Sequence, residues 1–388
     1  MPTMTTVQRG TRLRAAIIAC GVALALAELA LRLLGVSHPR IWRPDPILGH
    51  VLRPNVEGWC RDEGEGYVSI NSQGMRDIER QLENKSTLRI AVLGDSFTEA
   101  RQLDRTEAFP ALVEKALTGR PEVAGRAVEV LNFGVAGYST GQELLAFRHH
   151  AAAFHPDIVL LEFCAASDVR DNDADLGGVG LRPYFRRDGR QITPDERFRV
   201  TASQRSTLQP LYRLIDGLSD VSRLVQAGAH WAERAGFPGP ELAGVDLKPA
   251  DEQAYGPSPD ERWREAWNLT ERLLITLRDE CQAKGARLMV MGATFGPQVH
   301  PDPAARDELA KKLGVTDLLY PESRLAPFLV GNGIPFLPLA AVFQRRATST
   351  NTFYHGFKPN LGQGHWNKDG HALAAELLTP WLLQHINR

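Results

Sequence analysis

The feature of the sequence that most constrains its fold is an alternation of short apolar runs with helical stretches, which begins at Leu88 and continues to the C-terminus. Short runs rich in Val, Ile and Leu are typical of parallel strands buried on both faces. Their alternation with helices predicts an α/β fold with a doubly wound, mostly parallel sheet of five strands flanked by helices. The predicted strands are 88–93, 128–133, 158–163, 287–293 and 334–337, and the predicted helices are 108–117, 141–150, 261–284 and 370–385.

The N-terminus has the pattern of a membrane-directed segment. Residues 1–14 are basic, and residues 15–36 form an apolar helix whose charged pair, Glu28 and Arg32, is spaced four residues apart. About twenty helical residues are enough to span a bilayer, whereas the uncharged core alone has the length of a signal-peptide core. Three interpretations are open: a retained transmembrane anchor, a cleaved signal peptide, or a buried soluble helix. The basic flank predicts a cytoplasmic N-terminus and an exported domain, periplasmic or extracellular, which is secreted if the helix is cleaved.

Two further segments lie outside the alternating pattern. Residues 37–86 are rich in Pro, Gly and charge, with a strand at 66–70, and predict a small β lead-in or else a linker. The domain at 87–388 carries an insertion at about 171–259, which either shapes access to a site or only adds packing. The insertion contains a predicted hairpin turn at Asp188-Gly189 and an amphipathic helix with apolar positions at Leu208, Leu211, Ile215, Leu218 and Val225.

The overall charge and the cysteine spacing exclude several classes of function. A formal net charge of −1 gives no argument for nucleic-acid binding. The cysteines lack any Cys-x-x-Cys spacing, and the histidines lack metal-like spacing, so no metal or cofactor is predicted. One disulfide, between Cys60 and Cys281, is left open.

Four blocks of polar residues follow the predicted strands. Gly94-Asp95-Ser96 ends the first strand, a position where open α/β sheets place their ligands. By itself this tripeptide also suits an ordinary turn before a helix. The remaining blocks contain Gly137 after the second strand, Ser167 and Asp168 after the third, and His365 before the last helix.

In this order, the four blocks resemble those of the SGNH, or GDSL, hydrolases, over the region from residue 88 to the C-terminus apart from the insertion. The resemblance implies that Ser96 is the nucleophile and His365 the general base. It also implies that the backbone N–H groups of Ser96 and Gly137 line an oxyanion hole. The third block of the family normally reads Gly-x-Asn-Asp, so Ser167 stands at the position of the oxyanion asparagine and Asp168 matches the aspartate. The lead-in at 71–77 and the apolar helix resemble a membrane-associated bacterial branch of the family.

Two positions depart from the family pattern. The acid that orients the histidine normally lies two or three residues before it, where this chain has Gln363 and Gly362. A glutamine can fix the imidazole tautomer but cannot stabilise imidazolium by charge. Asp369 is the nearest alternative, although it is predicted to lie in the last helix. At the second position, the serine side chain of Ser167 is shorter than asparagine and must lie closer to an oxyanion or act through water.

The resemblance implies a serine-dependent ester hydrolase or O-acyl transferase that forms an acyl-serine. Its expected substrate is an acylated carbohydrate or another cell-envelope ester, with the membrane as partner of the N-terminal helix. The two departures support an alternative, a catalytically degenerate domain that serves as a polysaccharide-binding or assembly component. In either case Asp95, Asp168 and Gln363 are expected to support the site.

Overall fold

The computed structural model describes residues 6–83, 86–177, 182–189, 191–195, 209–235 and 251–386. The first element is a long helix, α1 (Thr6–Leu33). Its segment Thr11–Leu33 is long and apolar enough to cross a membrane, and none of that segment is buried against the rest of the chain. At 1.5 Å per residue its 23 residues extend about 35 Å, more than the apolar thickness of a bilayer.

The lead-in that follows consists of two antiparallel pairs, β1 (Trp42–Asp45) with β2 (Gly49–Leu52) and β3 (Glu57–Cys60) with β4 (Gly66–Ser69). Its apolar side chains, including Leu48, Val68 and Met75, are buried in the main core. Arg76 is also fully buried and donates a hydrogen bond to the carbonyl of Glu99 at 3.1 Å. The lead-in is therefore packed into the folded domain.

The centre of the domain is a five-stranded sheet in the order β11-β10-β7-β5-β6, in which every neighbouring pair is parallel. The predicted doubly wound sheet is confirmed, and it is entirely rather than mostly parallel. All residues of β5 and β7 are buried, and apart from Thr87, Arg89 and Glu162 they are all apolar, as expected for strands covered on both faces. The strands are β5 (Thr87–Leu93), β6 (Ala127–Asn132), β7 (Ile158–Phe163), β10 (Arg287–Gly292) and β11 (Phe336–Pro338), with β8 (Phe185–Asp188) and β9 (Gln191–Pro194) in the insertion.

Helices cover this sheet. All four predicted helices are present within one or two residues of their expected bounds, and three more lie between β10 and the last helix. Two of these additional helices have proline in their first turn, where its missing N–H costs nothing. The helices after α1 are α2 (Ser96–Glu99), α3 (Phe109–Leu117), α4 (Thr140–His149), α5 (Ala165–Asn172), α6 (Ala174–Gly177), α7 (Gln209–Val221), α8 (Arg223–Arg234), α9 (Glu261–Ala283), α10 (Pro303–Leu313), α11 (Tyr320–Gly331), α12 (Ala340–Thr350) and α13 (Lys368–Ile386).

Within the insertion, β8 and β9 form the hairpin expected at Asp188-Gly189. The single amphipathic helix predicted here is wrong, because the chain breaks at Ser222 into α7 and α8. Leu208 and the segment 236–250, which follows α8, lie outside the described residues. The end of the insertion returns to the sheet, where the ring of Tyr255 stacks on Phe295 at 5.2 Å.

The cysteines make no disulfide in the described chain, which includes all of them. Cys60 and Cys281 are both buried and free, so the pairing left open by the sequence does not form. No cluster of His, Cys, Asp or Glu with the geometry of a metal site occurs among the described residues.

Candidate active site

The candidate site lies where the sheet reverses its strand order. The chain passes from β5 to β6 on one side and then to β7 on the other, which opens a crevice at the carboxyl ends of β5 and β7. Asp95 caps α2 through a hydrogen bond from the N–H of Phe97 at 2.9 Å, and Ser96 is the first residue of that helix. Gly94 is needed here because any Cβ would overlap the side chains of Thr98 and Glu162. This tight turn places the Ser96 hydroxyl at the crevice.

His365 lies directly against this serine. Its Nε2 is 2.7 Å from the Oγ of Ser96, a hydrogen-bond distance suitable for proton transfer. Two rings hold the imidazole: Phe97 packs against it at 5.2 Å between centroids, and the next residue, Trp366, is fully buried and packs on the same phenylalanine. The structure therefore brings together two residues that lie 269 positions apart in the sequence.

The acid partner of this histidine is Glu63, in the loop between β3 and β4. One carboxylate oxygen accepts the backbone N–H of His365 at 2.9 Å, and the other contacts the ring Nδ1. The side chains of Glu63 and His365 are each about one quarter exposed. A carboxylate that holds both the ring and the backbone of a histidine fixes its orientation and presents Nε2 to the serine.

The charge of Glu63 is favoured by its surroundings. Partial burial opposes its ionisation, but the hydrogen bonds and charge of His365, with the nearby guanidinium of Arg101, outweigh burial and lower the pKa of Glu63. Arg101 is held in place by an ion pair with Asp62 at 3.1 Å and by the ring of Trp42. The lead-in thus supplies an ionised acid at neutral pH.

The expectation that Gln363 or Asp369 orients the histidine is wrong. Gln363 lines the adjoining cavity, and Asp369 lies in the first turn of α13. The reason is the backbone before the histidine: Gly364 has a left-handed φ of +67°, and the chain there turns so that Nδ1 faces the lead-in. A Cβ at Gly364 would overlap the carboxylate of Glu63, so this glycine makes room for the acid.

On the opposite side of Ser96 are the residues expected to form the oxyanion hole. Ser96, Gly137 and Ser167 all line one cavity, and Gly137 precedes α4 with a φ of +80°. The Oγ of Ser167 lies 3.2 Å from Oδ2 of Asp95 and 3.2 Å from the carbonyl of Cys164. The Ser167 hydroxyl is therefore already occupied by neighbouring acceptors.

Asp168 is buried beside the cavity, where it connects two helices by hydrogen bonds. Its carboxylate accepts the N–H of Cys164 at 2.7 Å and the hydroxyl of Thr140 at 3.3 Å, which joins the start of α5 to α4. Asp95 and two glutamates are buried in the same region, and burial raises the pKa of every one of these carboxyl groups. The carboxyl groups buried below Ser96 are therefore harder to ionise than carboxyl groups in water.

A second histidine, which sequence reasoning missed, stabilises the loop that carries the first. The Nδ1 of His355 donates to the carbonyl of Gly364 at 2.8 Å, which leaves Nε2 to accept the hydroxyl of Thr294 at 2.7 Å. The indole N–H of Trp366 donates to the same hydroxyl at 2.8 Å. Burial lowers the pKa of His355 to about 4, so it remains neutral and acts as a fixed link.

Comparisons with known proteins gave only distant similarities. No protein-family profile matches the sequence, and no curated protein matches it. Similar solved structures include the acetyl xylan esterase AlAXEase, with 12% identity, a TM-score of 0.38, and 75% of this chain and 97% of that chain covered. The psychrotrophic esterase EstA from Pseudoalteromonas sp. has 11% identity and a TM-score of 0.36, over 78% of this chain and all of that one. A GDSL-like lipase from Bacteroides thetaiotaomicron has 11% identity and a TM-score of 0.34, over 79% and 93%.

TM-scores this low assign neither a substrate nor a reaction, so the functional argument depends on the chain's own side chains. The sheet order and the position of the four motif blocks at the strand ends are decisive for the fold. The chain has the doubly wound α/β fold that its resemblance to the SGNH hydrolases implies. In this domain, the lead-in between α1 and the sheet is an integral part of the site because it carries Glu63.

The cavity beside Ser96 has a volume of about 490 Å³, within the range of ordinary ligand sites. Phe97 and Phe295 give it apolar walls near the serine. Arg101, Arg170 and Glu252 add charged groups to its lining. Apolar walls with a few polar groups are typical of small-molecule sites.

Proposed function

We propose that this protein is a serine-dependent ester hydrolase or O-acyl transferase that acts on an acylated carbohydrate or another cell-envelope ester. The observation that carries the proposal is the continuous chain of contacts from Glu63 through His365 to Ser96, at the edge of a ligand-sized cavity. A carboxylate, an imidazole and a hydroxyl in this order are what nucleophilic acyl transfer requires.

The proposed reaction has two stages. In the first, His365 Nε2 removes the proton of Ser96 as Oγ attacks the ester carbonyl, and Glu63 stabilises the imidazolium that forms. The tetrahedral oxyanion is met by the backbone N–H groups of Ser96 and Gly137. Ser167 would act as a third donor only after its hydroxyl turns away from Asp95 and the carbonyl of Cys164. His365 then returns the proton to the leaving alcohol, and the acyl group remains on Ser96.

In the second stage, water or a sugar hydroxyl gives its proton to His365 Nε2 and attacks the carbonyl of the acyl-serine. The bond between the acyl group and Ser96 Oγ then breaks, and His365 returns the proton to Oγ, which restores the free serine. Water as acceptor gives hydrolysis, whereas a hydroxyl gives acyl transfer, and the residues are the same for both. The charged lining at Arg101, Arg170 and Glu252 supports a polar alcohol or acceptor next to the apolar acyl site.

A fluorophosphonate probe and a chromogenic acetate ester test the chemistry. Covalent labelling and hydrolysis are expected for the purified full-length protein, and both are expected to disappear in Ser96→Ala. Labelling is expected to fall sharply in His365→Ala. Adding a saccharide acceptor and analysing its acetylation by mass spectrometry distinguishes transfer from hydrolysis. A folded wild-type protein with neither labelling nor turnover would refute the proposal.

The alternative of a degenerate binding domain loses its main argument. That argument was the missing acid, and Glu63 contacts His365 at the position the acid must occupy. The serine at position 167 is its remaining support. Saccharide binding without turnover, unchanged in Ser96→Ala, would favour this alternative.

We also propose that α1 is a retained membrane anchor with the SGNH domain exported. No residue of the segment Thr11–Leu33 is buried, and most are exposed, as expected for a helix that meets lipid. Glu28 near its end is bound by the insertion: it accepts hydrogen bonds from the N–H groups of Arg223 and Leu224 at 2.9 and 3.0 Å. These contacts would be lost if the helix were removed. A membrane fraction that retains the protein after alkaline carbonate washing, with the N-terminus intact, is the expected result.

A further inference from the structure

We propose that α7 and α8 form a second membrane contact, in which the outward face of α7 lies in the interface of the bilayer that α1 spans. This inference rests on the proposed anchoring by α1 and adds a surface to it. In the structure, the two helices stand beside the end of α1 and are joined to it by hydrogen bonds.

The first argument is that the apolar face of α7 points away from the protein. A surface helix normally turns its apolar face inward, towards the core. In α7, Leu214, Leu218 and Val221 recur at positions i, i+4 and i+7 on one face, yet their exposed fractions lie between 45% and 67%. Trp231 on α8 is 70% exposed, and tryptophan is enriched at membrane interfaces.

The opposite face of α7 is acidic and points to the protein. Asp216 accepts a hydrogen bond from Arg40 at 3.0 Å, and Asp220 accepts one from Arg53 at 2.8 Å. Both arginines belong to the lead-in and are nearly buried. These ion pairs fix the rotation of α7, so its apolar face is held outward by specific contacts.

The second argument is the depth at which Glu28 lies in the apolar layer of the membrane. If the charge of Arg14 lies at one boundary of the apolar layer, about twenty residues at 1.5 Å each bring the helix to the other boundary near Leu34. Glu28 then lies about 9 Å inside that boundary, where a bare carboxylate is expensive. Glu28 is not bare, because its carboxylate accepts hydrogen bonds from Arg32 at 2.7 Å and from the hydroxyl of Ser222 at 3.0 Å.

The junction between α7 and α8 must therefore sit at the depth of Glu28. Arg32 also donates to the carbonyl of Val221 at 2.7 Å, which places the last exposed residue of the α7 face beside the lipid-facing helix. A lipid surface accounts for this arrangement because it covers α1 and the α7 face together. A second copy of the chain would have to bury the same face without the continuous apolar surface that α1 provides.

The proposal can be tested in the full-length protein reconstituted into vesicles of phosphatidylcholine and phosphatidylglycerol. In a Cys20→Ser background the remaining cysteines are buried, so a fluorescent maleimide reports on an introduced cysteine. Val221→Cys places the label on the α7 face. Val330→Cys is the matched control, because both valines are 67% exposed and Val330 lies on α11 beside β11, at the opposite edge of the sheet from β6.

Phosphatidylcholine brominated in its acyl chains is expected to quench the label at position 221 at least about twofold more strongly than the label at position 330. Equal quenching at the two positions, in protein that floats with the vesicles, would overturn the inference and leave the anchor standing. Protein that does not float would overturn both. Oxidative cross-linking between copies at position 221 without quenching would overturn it in favour of a dimer. Fluorophosphonate labelling of Ser96 reports separately on the proposed chemistry.

Discussion

Replacing Glu63 with glutamine is the most informative perturbation of this site. In the wild type, one carboxylate accepts both the backbone N–H and the ring of His365. In the wild type the two N–H groups face different oxygens, and an amide replaces one of these oxygens with an NH₂ group, which cannot accept a hydrogen bond. If the NH₂ faces Nδ1, the imidazole takes the tautomer with its proton on Nε2, which then cannot accept the proton of Ser96.

The expected loss follows from two contributions, the wrong tautomer and the lost charge. A triad aspartate replaced by asparagine in a serine protease costs about four orders of magnitude in kcat. The carboxylate here is about one quarter exposed, so solvent screens part of its charge. We therefore expect kcat/KM for an acetate ester to fall about 10³- to 10⁴-fold, or about 4–5.5 kcal/mol of transition-state stabilisation.

The assay is steady-state hydrolysis of a chromogenic acetate, with fluorophosphonate labelling rates measured in parallel. Glu65→Gln is the matched control, because Glu65 lies in the same loop and its ion pair with Arg61 is well exposed to solvent. It is expected to retain activity within about twofold, since exposed ion pairs contribute little. A Glu63→Gln protein that is folded and keeps more than about a tenth of wild-type activity would refute the assignment of Glu63 as the orienting acid.

Three further predictions follow from the geometry. Gly364→Ala places a Cβ on a left-handed backbone and into the carboxylate of Glu63. We expect about a hundredfold loss of esterase activity, with the fold retained by circular dichroism. Wild-type rates in this variant would contradict the steric argument. Ser167→Ala is expected to cost only about tenfold in kcat, less than a principal oxyanion donor, because its hydroxyl is already 3.2 Å from Asp95; a loss of about a thousandfold would make it a main donor. Burial lowers the pKa of His371 to about 3, so the unfolded state binds this proton first as pH falls below about 6.5, and its contribution to stability is lost progressively from there to about pH 3. In urea unfolding between pH 6 and 4, His371→Gln should therefore show a slope smaller by about 1.4 kcal/mol per pH unit, and an unchanged slope would contradict the assignment.

The sheet could be predicted from the sequence because its central strands are buried on both faces. In β5 and β7, every position is buried and most positions are apolar, and such runs stand out from any neighbouring loop. The edge strand β11 has only three residues, which are partly exposed, and it begins two residues later than expected. The helices α10 and α11 were not among the predicted helices, and both begin with a proline in the first turn.

The serine and the histidine could be located because each lies in a short motif next to a strand or helix end. Glu63 could not, because it lies 302 residues before His365 and nothing in the local sequence separates it from Asp62 or Glu65. The residues close to the histidine in the sequence indicated Gln363 instead. The weak signal that was present is Gly364, since a glycine beside a functional histidine leaves room for another group to approach.

The order of the three site residues along the chain has a consequence for biosynthesis. Glu63 and Ser96 are synthesised before His365, which follows Ser96 by 269 residues and depends on the buried Trp366 beside it. A nascent chain in which these later residues have not yet been made therefore carries a serine without its base. Under the proposed mechanism such a chain cannot attack esters, and activity begins only when the segment around His365 has been made and has folded onto the sheet.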